Sequence, residues 1–417
     1  MGVKMEKHGK RLTEVHIENF LSLRDVDLEL RPLNVLVGPN GAGKTNLLKA
    51  FQFLGEIARQ ELLPAVQSVG GYDNLFYRGP NPSGTTIKIS LKGLITKYAT
   101  ENAPDEYKLS FWRRNSRQIR VGERTLRTPE FLQRIEEIVF KRFAGQGRRI
   151  TLRGGKGTVV TTTASGQSGP EQSKTIEIEG GATGLGTLRR FGESYGSSEW
   201  NSFAALVEDL RLFEIDADAA RSATSASGDR LTSKATNVAA FLYRLSIEEP
   251  DILERIKDDV RSVLPGFEDF VFTPIGGALD AVRLDLKERH LRDTTPLGRA
   301  SFGTIRAIAL FAMLNDPDPP ALTCLEEIDH GMHPHALDRV VDRLRTASNK
   351  TQILVATHSP ALVNRLDPSE LIIVEREPET GASRVFRPSQ PMLHELKDET
   401  GYDLGELWFS GLIGGGL

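Results

Sequence analysis

One cysteine, Cys324, serves 417 residues. A lone thiol closes no intramolecular disulfide and builds no zinc hook. Disulfide scaffolds are therefore excluded, and a reducing compartment is expected. An excess of either charge is also missing. Fifty-three Lys+Arg against 56 Asp+Glu leave a net charge of −3, which excludes a globally basic nucleic-acid binder but not a local basic face. No apolar run reaches the ~18 residues that a membrane helix needs, so no membrane partner is expected. Met1 to Phe20 carry charges throughout and no apolar core, and Glu6 stands where a myristoylation signal wants Ser or Thr. No signal peptide or lipid anchor is expected, and the expected compartment is the cytoplasm. What is present is 39% hydrophobic and 26% charged residues, a composition that can bury a core in two or three domains.

Alternation of apolar residues predicts strands from Leu12 to Phe20 and from Val26 to Leu30, then a short β-branched run over Leu33–Val37. After Thr45 the spacing turns helical, with Leu47, Leu48, Phe51, Leu54, Ile57 and Ala58 on one face. The same reasoning reads residues 108–160 as strand-like with a helix from about Pro129 to Phe143, and predicts a hairpin pairing Thr158–Thr163 with Thr175–Ile178. The Gly/Ser/Thr-rich stretches 154–190 and 221–235 otherwise read as loops. Helical spacing returns over 236–263, followed by strands at Phe270–Phe272 and Val282–Leu286 and a buried helix at Ile305–Leu314. Three further apolar runs, Ala321–Leu325, Gln352–Ala356 and Leu371–Val374, with a helix at Ala336–Leu344 between the first two, predict a parallel sheet buried on both faces.

Four short segments carry chemistry. Gly38-Pro39-Asn40-Gly41-Ala42-Gly43-Lys44-Thr45 fits G-x-x-x-x-G-K-S/T between a strand and a helix. Its glycines let backbone N–H groups turn inward as an anion nest, and the helix N-terminus adds its positive end. Asn40, Gly41, Gly43, Lys44 and Thr45 are the candidate nucleotide-binding residues. Lys44 faces the β and γ phosphates, and Thr45 offers a hydroxyl to Mg²⁺. Leu322 to Leu325 run into Glu326-Glu327. There one carboxylate, Glu326, can hold Mg²⁺, and the next, Glu327, can polarise a water. The run Ile353–Ala356 leads into Thr357-His358-Ser359-Pro360, where the His358 imidazole can hydrogen-bond a γ-phosphate. Ala300-Ser301-Phe302-Gly303-Thr304 opens a helix, which is a simple N-cap or a second anion-ready terminus.

In this order, the four segments resemble an ATP-binding-cassette type ATPase of the RecF/SMC/OLD group, and most of all its stand-alone RecF-like members. Val15-His16-Ile17-Glu18-Asn19-Phe20 and Leu33–Leu48 begin the resemblance. Ser301-Phe302-Gly303-Thr304-Ile305-Arg306 is similar to the signature S-D-G-T-x-R, and Glu326 to Pro334 to E-E-P-E-x-G-x-H-P. Leu404-Gly405-Glu406-Leu407-Trp408 is similar to the ends of such proteins. The resemblance implies an α/β fold, a P-loop NTPase of ABC/SMC-head type with a mixed sheet, flanking helices and an inserted α+β region. By motif content, residues 1–100 form an N-terminal ATPase lobe, 101–235 an inserted variable region and 236–417 a C-terminal lobe. The resemblance further implies ATP and Mg²⁺ as ligands, hydrolysis with Lys44, Glu327 and His358 as catalytic residues, and a homodimer that sandwiches ATP. In that sandwich Ser301 and Gly303 of one chain close the P-loop of the other. Three departures matter: Glu326 stands where many relatives of the wider class have Asp, Phe302 replaces the usual polar residue of the signature, and Ile328 replaces Pro. No Q-loop glutamine is placed, and Gln52 sits poorly for one.

His330, His333 and His335 cluster in sequence but cannot share one helix face, so they are not assigned a metal. Residues 113–156 hold thirteen Lys+Arg and four Asp+Glu, a local +9 and a candidate phosphate-backbone surface for DNA. Two functions follow: an ATP-hydrolysing DNA-associated switch in repair or anti-phage defence, or an ATP-gated scaffold for a separate effector protein. A transporter subunit fits less well, given the N-terminal strands and the segment after Glu327. No heptad run is long enough for an SMC arm. Only 59 residues follow His358, too few for the nuclease domain of OLD proteins, so a nuclease or toxin would be a separate chain.

Overall fold

The computed structural model describes residues 10–414 except 115–117, 122–123, 128–130, 143–146, 163–171, 179–182, 189–191, 193–194, 196, 222–223, 226–229 and 276–280. Packing divides the chain into two compact units. One takes the chain up to Arg31, Gly41–Leu210 and Glu375–Phe386. The other takes Pro32–Asn40, Arg211–Val374 and the chain from Arg387 on. This division follows packing, whereas the three-part reading above follows motif content.

The first unit is built on an eight-stranded sheet. Its strand order is Gln172–Glu177, Lys156–Thr162, Gly147–Arg153, Phe131–Phe140, Asp105–Arg114, Ile87–Leu94, Arg11–Phe20 and Leu23–Glu29. Every neighbouring pair is antiparallel. The helix Lys44–Gln60 belongs to this unit and is anchored by Phe53, whose ring lies 5.6 Å from that of Phe20 and 5.9 Å from that of Phe111. Phe111 is fully buried and belongs to the core. The expected hairpin forms, with Thr158 opposite Thr175, while Thr163 lies outside the described residues.

The helix expected over 129–143 is instead the strand Phe131–Phe140, paired on both sides. The reason is visible at its inward positions. Arg134 and Glu136 are buried alongside Ile138 and Phe140. Two charged side chains on the core face hide the two-residue period and leave an apolar spacing that mimics a helix. Glu136 accepts hydrogen bonds from the Tyr107 hydroxyl (2.7 Å) and the Gly184 N–H (2.7 Å). Burial pushes its carboxyl above the usual range.

The second unit contains the parallel sheet. Leu210–Phe213, Leu322–Glu326, Gln352–Thr357, Leu33–Val37 and Leu371–Arg376 follow one another in that order. The three pairings among the last four are parallel. Leu33–Val37 and Gln352–Thr357 are buried at every position, as expected for strands covered on both faces. Cys324 lies within the neighbouring strand Leu322–Glu326, and burial pushes its thiol far above its ordinary range. It therefore stays protonated and unreactive.

Helices Val238–Glu248, Pro250–Val263, Phe302–Leu314 and Ala336–Ala347 belong to the same unit. The last three are cross-linked by the fully buried Asp259. It accepts hydrogen bonds from Arg339 (2.8 Å), Arg343 (2.6 Å) and Asn315 (2.9 Å). That satisfies a charge whose isolated burial would cost several kcal/mol. Phe267–Ile275 and Ala281–Glu288 pair as an antiparallel hairpin, and Thr224–Ser225 adds a short strand to it within a stretch read as loop.

Candidate nucleotide site

The glycine-rich turn runs from the end of strand Leu33–Val37 to the start of helix Lys44–Gln60. Gly41 has φ 77° and Gly43 φ 110°, backbone conformations that an L side chain rarely takes. Gly43 caps the helix, and its carbonyl accepts from the N–H groups of Asn46 and Leu47. Two preceding carbonyls are held as well. Gly41 O accepts from Arg376 Nη1 (2.9 Å) and Ala42 O from Ser383 Oγ (2.6 Å). Lys44 is the first helical residue and only 5% exposed. Thr45 is partly exposed and Asn40 exposed.

In the second unit the strand register aligns the other segments. Glu326 stands opposite Ala356 and Ala356 opposite Leu36, while Thr357 stands opposite Val37. The carboxyl ends of three parallel strands therefore finish on one edge. Gly38, the Glu326-Glu327 pair and His358 leave the sheet together there, at the edge where parallel sheets bind ligands.

Glu327 is exposed and has φ 47°, a left-handed conformation that costs a non-glycine residue about 1 kcal/mol or more. It is held there by its own N–H donating to Ala356 O (2.9 Å) and its carbonyl accepting from His330 N (3.1 Å). Its carboxylate lies 3.5 Å from His330 Nδ1. The segment is tied back by Thr357 Oγ1, which donates to Asp329 Oδ1 at 2.7 Å. The same hydroxyl accepts from Ser359 N (3.0 Å), which fixes the chain on both sides of His358. Asp329 falls at the acidic fourth position of the segment Glu326 to Pro334, which gave it no role. The contact it makes is to a residue 28 positions away, and that pairing is not written in the segment.

Ser301 is the N-cap of helix Phe302–Leu314, and its hydroxyl accepts from Thr304 N at 3.1 Å. Gly303 sits against the turn after Glu327, where a Cβ added to it would lie 2.3 Å from Gly331 O. No side chain fits there, so the signature glycine is fixed by close backbone approach. Phe302 is 54% exposed, with the Arg221 guanidinium 4.7 Å from its ring centre. Glu326, Glu327, His330, Phe302 and Arg306 line a cleft of about 640 Å³, into which Glu214 and Asp216 also project. The last two follow the strand beside Leu322–Glu326. Sequence reasoning missed them because strand adjacency is not written in chain order. His333 and His335 are exposed and stack on each other at 5.1 Å.

A second cleft, of about 530 Å³, lies in the first unit and is lined by Leu21, Ser22, Asn46, Tyr77, Arg78 and Arg376 among others. Leu21 has φ 53°, an unusual conformation for a bulky residue.

The basic stretch is less one-sided in space than in sequence. Arg113 pairs with Asp73, Lys141 with Glu106, Arg142 with Asp105, Arg148 with Glu199 and Arg149 with Glu137. Arg134 is buried 3.9 Å from Glu136.

A glycine-shaped phosphate turn opening a helix, a parallel sheet ending in paired carboxylates, and a capped signature helix define a RecF/OLD/SMC-like ATPase of the ABC type. The chain belongs to the family described as "AAA domain, putative AbiEii toxin, Type IV TA system", which matches residues 33–364. An OLD nuclease of Thermus scotoductus is 49% identical over 47 residues, 11% of this chain and 9% of that protein. The DNA replication and repair protein RecF of Porphyromonas gingivalis is 31% identical over 105 residues, 24% of this chain and 29% of that protein. The chain thus matches less than a third of either relative's length.

Two solved SMC heads share the fold at 13% identity. One, bound to the C-winged helix domain of ScpA, has a TM-score of 0.50 over 92% of this chain and 99% of that one. The other, with an extended coiled coil and bound to the C-terminal domain of ScpA from Pyrococcus furiosus, has 0.51 over 94% and 100%. Among the described residues, no helix is long and apolar enough to cross a membrane.

Proposed function

We propose that this chain binds ATP with Mg²⁺, dimerises on it and hydrolyses it slowly as a switch in the cytoplasm. The observation that carries the reading is the shared sheet edge, where Glu326, Ala356 and Leu36 stand in one register row. Lys44 and the N–H groups of Gly41–Thr45 bind the phosphates, and Asn40 borders them. Thr45 and Glu326 offer the oxygen donors that Mg²⁺ takes. Bound there, the ion would neutralise phosphate charge. Glu327 accepts the proton of the attacking water, and His358 hydrogen-bonds the γ-phosphate. Ser301 and Gly303 of a second copy close the site over ATP, so that ATP joins the copies and hydrolysis frees them.

Ser301→Arg tests the pairing. Added bulk at the exposed helix start should leave nucleotide binding by the single chain near normal. It should reduce ATP turnover at least ~10-fold and remove the ATP-dependent doubling of mass in light scattering. The lost cap costs about 1 kcal/mol, so apo melting is measured alongside. Normal turnover and a normal dimer would remove Ser301 from the site.

As a RecF/OLD-like switch, the protein acts in DNA repair or anti-phage defence through residues 113–156. The carboxylate partners of Arg113, Lys141, Arg142, Arg148 and Arg149 favour the second reading, an ATP-gated scaffold for a separate effector protein that itself leaves DNA alone. The two part in a salt titration of duplex binding, with and without ATP. A DNA switch shows sequence-tolerant binding that falls steeply with salt, whereas a scaffold shows none even at low salt.

A further inference from the structure

The first unit contains a buried chain of polar groups that ends on the phosphate turn. Asn46 Nδ2 donates to Ser22 Oγ at 2.7 Å, Ser22 and Ser383 share a 2.6 Å hydroxyl contact, and Ser383 Oγ donates to Ala42 O at 2.6 Å. Both serines are buried, at 6% and 4% exposure. The direction of the chain is forced. A carbonyl can only accept, so the Ser383 proton is committed to Ala42 O, and the proton between the two serines must come from Ser22. Ser22 in turn accepts from Asn46. Every hydroxyl donates once and accepts once, all toward the turn.

The end point matters because of peptide geometry. In a trans peptide the carbonyl and the next N–H point in opposite directions. Pinning Ala42 O therefore aims the Gly43 N–H the other way, and the Arg376 contact to Gly41 O does the same for the Ala42 N–H. Arg376 and Ser383 come from the two arms of one hairpin, Leu371–Arg376 and Ser383–Phe386. Its turn is fastened by Glu377 N to Ala382 O and by the Tyr77 hydroxyl to Thr380 O (2.7 Å). The fit is close, since a Cβ on Gly43 would come within 1.9 Å of Ser383 Oγ.

We propose that Ser383 is a positioning residue for the phosphate turn. In this arrangement Asn46 and Ser22 supply the oriented hydrogen bonds that hold it, and the hairpin 376–383 serves as a backing plate for nucleotide binding. The inference rests on the reading of Gly38–Thr45 as the phosphate site. It goes beyond that reading by giving a distant segment a part in nucleotide affinity.

The test measures the dissociation constant of fluorescent ADP for the purified wild type, Lys44→Ala, Ser383→Ala, Ser22→Ala and the double serine variant. The melting temperature of each is taken without nucleotide. Ser383→Ala is expected to bind ADP about tenfold more weakly, the loss of one oriented hydrogen bond, with little change in apo melting. Ser22→Ala should weaken binding less, and the double variant should be no worse than Ser383→Ala alone, because both act through one chain. A purely structural role predicts the opposite, a lower apo melting temperature with affinity intact. ADP affinity within twofold of wild type in Ser383→Ala, or losses that multiply in the double variant, overturns the relay. Absence of ADP binding by the wild type, or equal binding by Lys44→Ala, overturns the phosphate-site reading itself and the relay with it.

Discussion

Lys44→Ala is expected to lose ATP affinity by at least ~100-fold and to show no ATP turnover above background. The ammonium heads the helix Lys44–Gln60 at 5% exposure, so little water competes for it. Charge-assisted hydrogen bonds contribute roughly 1.5–3 kcal/mol each, and two of them to phosphate oxygens reach the expected loss. The fold should survive. Alanine is the best helix former, and Gly41 and Gly43 keep their own conformations. The assay pairs nucleotide titration with apo melting. Turnover at wild-type level in a well-folded Lys44→Ala protein would remove the P-loop reading.

The sequence made the parallel sheet legible because strands covered on both faces must be apolar along nearly their whole length. Leu33–Val37 and Gln352–Thr357 are such runs. The phosphate turn was legible for a different reason. Gly41 and Gly43 occupy backbone conformations that few other residues reach, so the geometry leaves its mark as glycine. Gly303 is legible in the same way, through its approach to Gly331. What stayed hidden depends on partners distant in the chain. Phe131–Phe140 reads as a helix because Arg134 and Glu136 sit on its buried face, and only the fold supplies Tyr107 and Gly184 to meet Glu136. Arg376 contacts a P-loop carbonyl 335 residues away. The charge balance of 113–156 was misleading along the chain because Asp73, Asp105, Glu106 and Glu199 lie outside that window. Nor does the residue type at 327 announce its left-handed backbone.

That backbone bears on the second large effect, expected for Glu327→Gln. Hydrolysis should slow by about 10²–10⁴-fold, the usual contribution of a general base, while ATP binding is kept. Glutamine matches glutamate in size, and the bonds that hold φ 47° are backbone bonds to Ala356 and His330, so the turn should persist. The lost contact with His330 is between exposed side chains, which contribute little to stability. What changes is chemical. An amide oxygen cannot take the water's proton, whereas Glu326, one residue earlier at the strand end, still offers a carboxylate to Mg²⁺. The variant should therefore load ATP and fail to discharge it. If ATP joins two copies, the trapped state is a dimer that outlasts the removal of free nucleotide. Single-turnover hydrolysis together with light scattering before and after desalting reads both quantities. Glu326→Gln serves as the contrast, since losing the metal ligand should weaken Mg²⁺-dependent ATP binding as well as turnover, and no stable dimer should build up. A Glu327→Gln protein that turns over ATP at the wild-type rate would move the base to another carboxylate of the same cleft, with Glu214 and Asp216 as the next to replace.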